Sequence, residues 1–258
     1  MIQRNLSVKK TMPNKGPSEK LIFALDMGEG LDEAMSWVRR LAGHVGVFKV
    51  GKEAFTRFGP QLVQKIQETG SRVFLDLKFH DIPNTVARAA EGAVEMGVAM
   101  FNVHALGGMS MMEETVAAVR NIARQKDLPM PLILGVTVLT SLNDEDLRKL
   151  GFSCSTGELV LKLARMAQDA GLSGVVASAQ DVEAIRKVCG EDFVIVTPGI
   201  RGLARVSGDD QKRILTAGEA IRRGSDYLVI GRPIRTAEDP VAAADEFCRE
   251  IARGLSAR

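Results

Sequence analysis

The densest chemistry in this chain lies in eleven residues, LDLKFHDIPNT, at positions 75–85. Side chains alternate across a strand, so Asp76 and Lys78 would share one face while Leu77 takes the other. Asp81 follows three residues later, ahead of Ile82 and Pro83, and a proline suits the opening turn of a helix. Asp81 is therefore expected in a strand-to-helix loop or at that helix's cap. Lys49 closes another apolar run, VFKVG (47–51), and comes within reach if the two runs are neighbours. Two ammonium groups would then alternate with two carboxylates. An isolated D-x-K reads as a structural ion pair, and Asp81 as a helix cap. Charges gathered in a protein mouth carry a desolvation cost that an apolar pair would avoid. A lysine held cationic between carboxylates is a poor Schiff-base nucleophile and a good proton donor. The cluster points to acid chemistry.

Short apolar runs must position these groups. They are LIFALD (21–26), VFKVG (47–51), RVFLDLK (72–78), AMFNVH (99–104), LILGVTVLT (132–140), GVVAS (174–178), FVIVTPG (193–199) and YLVIG (227–231). Few alternate strictly with polar residues, which is how strands covered on both faces read. Between them, apolar residues recur at helical spacing from Leu31 to Leu41, Val86 to Met96, Leu159 to Ala170 and Val241 to Ile251. Asp32, Asn143, Ser155 and Asp181 suit N-caps, and Gly43, Gly70, Gly97, Gly171 and Gly190 fall where helices should stop. Eight strand–helix units require parallel strands. The expected fold is α/β, a (β/α)8 TIM barrel over residues 21–258 as one domain, with a doubly wound open sheet as the alternative. In a barrel the active site lies where strands end. Those ends carry Asp26, Lys49, Asp76, Lys78, Asn102, His104, Thr140, Ser178 and, just beyond Gly231, Arg232.

A length of 258 residues suits one barrel, and 45% hydrophobic with 26% charged residues is ordinary globular composition. Aromatic content of 5% argues against stacking platforms for nucleic acid. The net charge of +2 is uneven. Residues 1–20 carry Arg4, Lys9, Lys10, Lys15 and Lys20 against Glu19, a surplus of four that leaves the remainder at −2. The body is not a polyanion binder, so any anionic ligand must be held by a few placed cations. Residues 1–20, broken by Pro13 and Pro17, read as a flexible basic tail rather than a transit peptide, because they show no amphipathic stripe. Cys154, Cys189 and Cys248 are few and widely spaced, which speaks against disulfides and a structural zinc site. No run approaches the roughly 18 apolar residues of a membrane span. A cytoplasmic protein without membrane or nucleic-acid partners is expected.

A second constellation is Gly199-Ile200-Arg201 with Gly231-Arg232. Barrels commonly hold phosphate between the loops after strands seven and eight. Gly231 would let backbone N–H groups approach, and Arg232 could grip phosphate with two N–H bonds. A strand turn with an exposed arginine is the plainer reading of GR alone. The long segment 202–212 suits a lid. His44, His80 and His104 lack ligand spacing for a metal, and the latter two read as hydrogen-bonding supports near the rim. Met111-Met112 reads as packing and Gly107-Gly108 as a turn before a helix.

With these residues in hand, segment 75–85 resembles the signature of the orotidine 5′-phosphate decarboxylase family. ALD (24–26), FKVG (48–51), FNVHALGG (101–108), TVLTS (137–141), VTPGIR (196–201), GDDQ (208–211) and SDYLVIGRPI (225–234) extend the resemblance, in order, over nearly all the chain beyond the tail. The resemblance implies conversion of orotidine 5′-monophosphate to uridine 5′-monophosphate (UMP) in pyrimidine biosynthesis. It makes Lys78 the proton donor to C6 of the pyrimidine and sets Asp76 beside the departing carboxylate. Lys49 would contact ribose and orient the network, Asp26 would bind a ribose hydroxyl, and Thr140 would meet the pyrimidine edge. Arg201 and Gln211 would grip the phosphate with Gly231 and Arg232, Gln211 also bridging toward the base. Asp81, Ile82 and Thr85 would enter the neighbouring subunit's site, implying a homodimer. No convincing site for pyridoxal phosphate or a metal is visible, so no cofactor is expected. Related barrels acting on sugar phosphates share the Asp-x-Lys-x-x-Asp array but use Mg2+; FHDIPNT and the VTPGIR…GDDQ pair favour the pyrimidine enzyme.

Overall fold

The computed structural model of the chain describes residues 16–26, 30–200 and 215–258. Eight parallel strands close into a barrel in sequence order: β1 (Leu21–Ala24), β2 (Val47–Gly51), β3 (Arg72–Phe79), β4 (Met100–His104), β5 (Leu132–Val136), β6 (Gly174–Val176), β7 (Val194–Pro198) and β8 (Tyr227–Ile230). The final pairing, Leu21 with Leu228 through Phe23 with Ile230, joins β8 to β1 and rules out an open sheet. Helices among the described residues are α1 (Leu31–Leu41), α2 (Lys52–Glu68), α3 (Pro83–Glu95), α4 (Met109–Gln125), α5 (Asp144–Lys149), α6 (Thr156–Asp169), α7 (Val182–Cys189), α8 (Ala217–Arg222), α9 (Arg232–Arg235) and α10 (Pro240–Ser256).

The apolar strands are explained by two cores. Outward side chains such as Phe23, Phe48, Leu75, Phe101 and Ile133 pack under the helices. Inward ones, including Ile22, Val47, Phe74, Met100, Leu134 and Val196, fill the barrel. Because side chains alternate, the next inward position above Val47 is Lys49, above Phe74 is Asp76, and above Met100 is Asn102. The polar site is thus the top layer of the barrel's own interior. Burial of Ala34, Met35, Val38 and Leu41 on α1 gives the inward helical stripe that the spacing implies.

Several boundaries depart from expectation. The run LILGVTVLT forms a strand only to Val136, since its neighbour β6 has three residues and offers no further ladder. Thr140 therefore sits in a turn. Asn143 and Ser155 close capping boxes on α5 and α6. Asp32 is not a cap: α1 begins after Gly30, and Asp32 lies in its first turn, where a carboxylate complements the helix dipole. Asp181 occupies the cap position of α7 without making a capping bond. Gly43, Gly70, Gly97, Gly171 and Gly190 all adopt positive φ just past helices. Of the segment read as a flexible tail, Pro17–Lys20 form a 3-10 turn, with Glu19 paired to Arg72 and Lys20 over the Tyr227 ring. Residues 1–15 lie outside the described residues.

Candidate active site

Four charged groups form an alternating chain across the barrel mouth. Lys49 Nζ donates to Asp26 Oδ1 at 2.8 Å and lies 3.4 Å from Asp76 Oδ2. Lys78 Nζ donates to Asp76 Oδ1 at 2.6 Å. The order is Asp26–Lys49–Asp76–Lys78. Lys49 and Asp76 are each only 8% exposed, and burial of this kind is tolerated because each is paired. Gly51 makes room for the first pair: a Cβ there would sit 3.0 Å from Lys49 Nζ and 3.2 Å from Asp26 Oδ1.

At Lys78 the strand is irregular. Leu75 pairs with Phe101 and Phe79 with Val103, so Asp76, Leu77 and Lys78 together face Asn102 alone. This bulge gives Lys78 a φ of +51°, unusual for a residue with a Cβ. Asn102, fully buried, donates from Nδ2 to Asp76 Oδ1 at 2.7 Å and accepts from the Lys78 backbone N–H at 2.8 Å. Sequence reasoning noted Asn102 only as one polar residue among several at strand ends. The available signal was its inward register one step above Met100.

The expected alternation of Lys49, Asp76, Lys78 and Asp81 is corrected within a single chain. Asp26 takes the fourth place. The bulge and the following loop carry Asp81 to an exposed position, where its Oδ1 accepts from the Ile82 N–H at 2.6 Å. Ile82, 67% exposed, and Thr85 lie beside it on the surface. The chain turns at Asp81, and Ile82 rather than Asp81 occupies the cap position of α3, with Pro83 opening the helix.

Above the barrel core lies a cavity of about 180 Å³, lined on one side by Lys49, Asp76 and Lys78 and on another by Val136, Val176 and Pro198. Thr140 also reaches it. A charged wall facing an apolar wall suits a flat ring bearing one reacting polar group. Beyond β8, Gly231 caps the single-turn helix α9, and a Cβ on it would come 3.0 Å from the Ala24 Cβ. Arg232 opens that turn and is exposed. Arg235, three residues on, donates to the Asp26 carbonyl at 3.5 Å, adding a guanidinium to the rim that sequence reasoning missed. Spacing of three within one helical turn was the signal for it. Gly199 follows β7 with φ +78°. Arg201 and Gln211 lie outside the described residues.

His104 departs from the expected hydrogen-bonding support at one ring nitrogen. The His80 and His104 rings lie 5.3 Å apart between centroids and tilted by 37°, and His104 Nδ1 is buried without a hydrogen-bond partner among the described residues. His44 bonds Asp245, Nδ1 to Oδ1 at 2.7 Å. Burial, reinforced by His80, Lys52 and Lys78 and opposed by Asp76, pushes the His104 imidazole down to about 4. With a folded value below the unfolded 6.5, the unfolded chain binds the extra proton first. Stability is then complete above pH 6.5 and falls as pH drops toward 4. The loss is on the order of 1–2 kcal/mol, allowing for solvent screening of a half-buried ring. Urea unfolding of wild type and His104→Asn across this range checks it: the difference in their stabilities should change with pH, and a constant difference would contradict it.

Among the described residues, no group of three or more His, Cys, Asp or Glu side chains is placed to hold a metal ion. No helix among them is long and apolar enough to cross a membrane. The three cysteines are free.

Comparison with known proteins gives this geometry its context. Residues 19–247 match the model of the orotidine 5′-phosphate decarboxylase / HUMPS family. The chain belongs to that family. It is 87% identical over 249 residues to the orotidine 5′-phosphate decarboxylase of Syntrophus aciditrophicus, covering 96% of this chain and 99% of that protein. It is 56% identical to the enzyme of the same name from Syntrophotalea carbinolica, covering 92% and 96% respectively. The crystal structure of orotidine 5′-phosphate decarboxylase from Lactobacillus acidophilus superposes with a TM-score of 0.79 at 35% identity, covering 90% of this chain and 98% of that one. The chain is a decarboxylase on a TIM barrel, and the match spans the whole charged array from Asp26 to Arg232.

Proposed function

We propose that this chain converts orotidine 5′-monophosphate to UMP without a cofactor, with Lys78 as the proton donor to C6. The observation carrying this reading is the Asp26–Lys49–Asp76–Lys78 chain, which ends in an ammonium at the wall of a largely apolar cavity. Breaking the C6–carboxylate bond leaves its electron pair in the ring plane at C6, where no ring carbonyl can delocalise it. A fixed ammonium beside C6 stabilises that charge as it develops. It then gives one N–H proton to the carbon, CO2 departs, and solvent returns the amine to its cationic form.

Each remaining group has a role in this scheme. Asp76 and Lys49 hold Lys78 on the side of the scissile bond, and the apolar wall keeps water from the ring, strengthening the fixed charges. Asp26 and Lys49 take ribose hydroxyls, and Thr140 the pyrimidine edge. Gly231 and Arg232, with Arg201 and Gln211, hold the phosphate, so that binding energy remote from C6 favours the closed, reactive arrangement. Asp81, Ile82 and Thr85 complete the site of a second subunit in a homodimer, which agrees with their exposure in the single chain. The protein works in the cytoplasm, in pyrimidine biosynthesis.

Loss of orotidylate absorbance in the presence of EDTA tests the reaction. Full turnover is expected, and dependence on added Mg2+ would instead place the chain with the sugar-phosphate barrels. The same assay on a mixture of inactive Asp81→Ala and Lys78→Ala chains tests the shared site. Hybrid dimers should recover part of the activity, and a mixture as inactive as its components would remove Asp81 from the partner's site.

A further inference from the structure

We infer that Asn102 is a positioning residue that sets the Lys78 ammonium and the Asp76 carboxylate in register by clamping the β3 bulge. The inference rests on the proposed role of Lys78 and adds to it the group that fixes where Lys78 points.

The two ends of the Asn102 amide have different tasks. A carboxylate can only accept and a backbone N–H can only donate, so the amide has one satisfying orientation: Nδ2 toward Asp76 Oδ1 at 2.7 Å, Oδ1 toward the Lys78 N–H at 2.8 Å. The second bond replaces what the bulge removes. Three residues of β3 face Asn102 alone, which takes the Lys78 N–H out of the ladder to β4. The Asn102 side chain takes that lost partner's place and holds Lys78 at φ +51°, a conformation that a residue with a Cβ rarely keeps without such support. The first bond fixes the carboxylate that receives the Lys78 ammonium at 2.6 Å. One fully buried amide thus ties together the backbone of the proton donor and the carboxylate that aims it.

An amide meets both demands without charge at any pH. Leucine has nearly the same shape and neither bond. Aspartate would face the Asp76 carboxylate with a like charge unless it carried a proton. A protonated aspartate would restore one donor and one acceptor, and two close carboxyl groups readily share a single proton.

The test compares wild type, Asn102→Leu and Asn102→Asp, with Lys78→Ala as reference. Asn102→Leu should lower kcat about 100-fold, the scale of a misplaced reacting group, with affinity for UMP held within about threefold. A kcat within about threefold of wild type in a folded Asn102→Leu protein would overturn the inference. Should Asn102→Leu fail to fold, Asn102→Asp decides. Its kcat should fall relative to wild type as pH rises, along a limb absent from the wild-type profile. A ratio to wild type that is constant with pH, whatever its size, would overturn the inference, because a merely structural role predicts no such limb. Failure here is distinct from failure of the proposed chemistry. If Lys78→Ala is inactive and Asn102→Leu is not, Asn102 lacks the role; if Lys78→Ala is active, the donor itself is misassigned.

Discussion

Replacing Lys78 by alanine is expected to lower kcat for orotidylate by at least about 10⁴-fold while the barrel stays folded. The size follows from two tasks lost together, electrostatic stabilisation at C6 and delivery of the proton. Neither neighbour can take over. Lys49 is committed to Asp26 at 2.8 Å and lies on the far side of Asp76. Folding should survive because the Lys78 side chain is partly exposed, and Asp76 keeps Asn102 and Lys49 as partners. Steady-state turnover with a thermal melt checks both halves, and near-normal turnover in a folded variant would refute the proton-donor role.

Arg232→Ala should weaken UMP by about 10²–10³-fold, the scale of a lost charge-assisted phosphate contact, and leave uridine binding almost unchanged. Arg232 opens the turn that follows β8, beside a glycine whose missing Cβ lets the backbone lie against Ala24. The guanidinium is exposed, so its removal costs little stability and the loss should reside in the phosphate. Arg235 offers limited compensation, since it donates to the Asp26 carbonyl. Calorimetric titration of both ligands is the measurement. Equal losses for nucleotide and nucleoside would count against a phosphate site here.

The barrel was largely legible in the sequence because its strands are buried on both faces and so read as unbroken apolar runs. VFKVG is legible to its true ends, since β3 pairs with β2 along its whole length from Val47 to Gly51. LILGVTVLT was read too long, because an apolar loop lining a cavity has the composition of a strand, and only the brevity of β6 ends the ladder. The pairing of Asp76 with Lys78 was legible from alternation. The bulge that holds them was not. DLKF looks like regular alternation, and the extra residues emerge only from the register of β3 against β4. For that reason the two bonds that Asn102 makes to Asp76 and Lys78 have no signal in the sequence beyond its inward register one step above Met100. Asp81 is legible as a loop residue, since Ile82-Pro83 must open the next helix, whereas its exposure on the surface is set by the path of that loop. His104 reads as a hydrogen-bonding support, yet its buried Nδ1 has no partner among the described residues, since solvation of a ring at a strand end depends on what packs over it.

The most direct test is the position of Lys78 in a crystal structure with UMP bound. The account predicts the Nζ atom within about 3–3.5 Å of C6, close to the ring plane and still paired with Asp76. A complex in which that amine turns to solvent while another proton donor stands against C6 would contradict it.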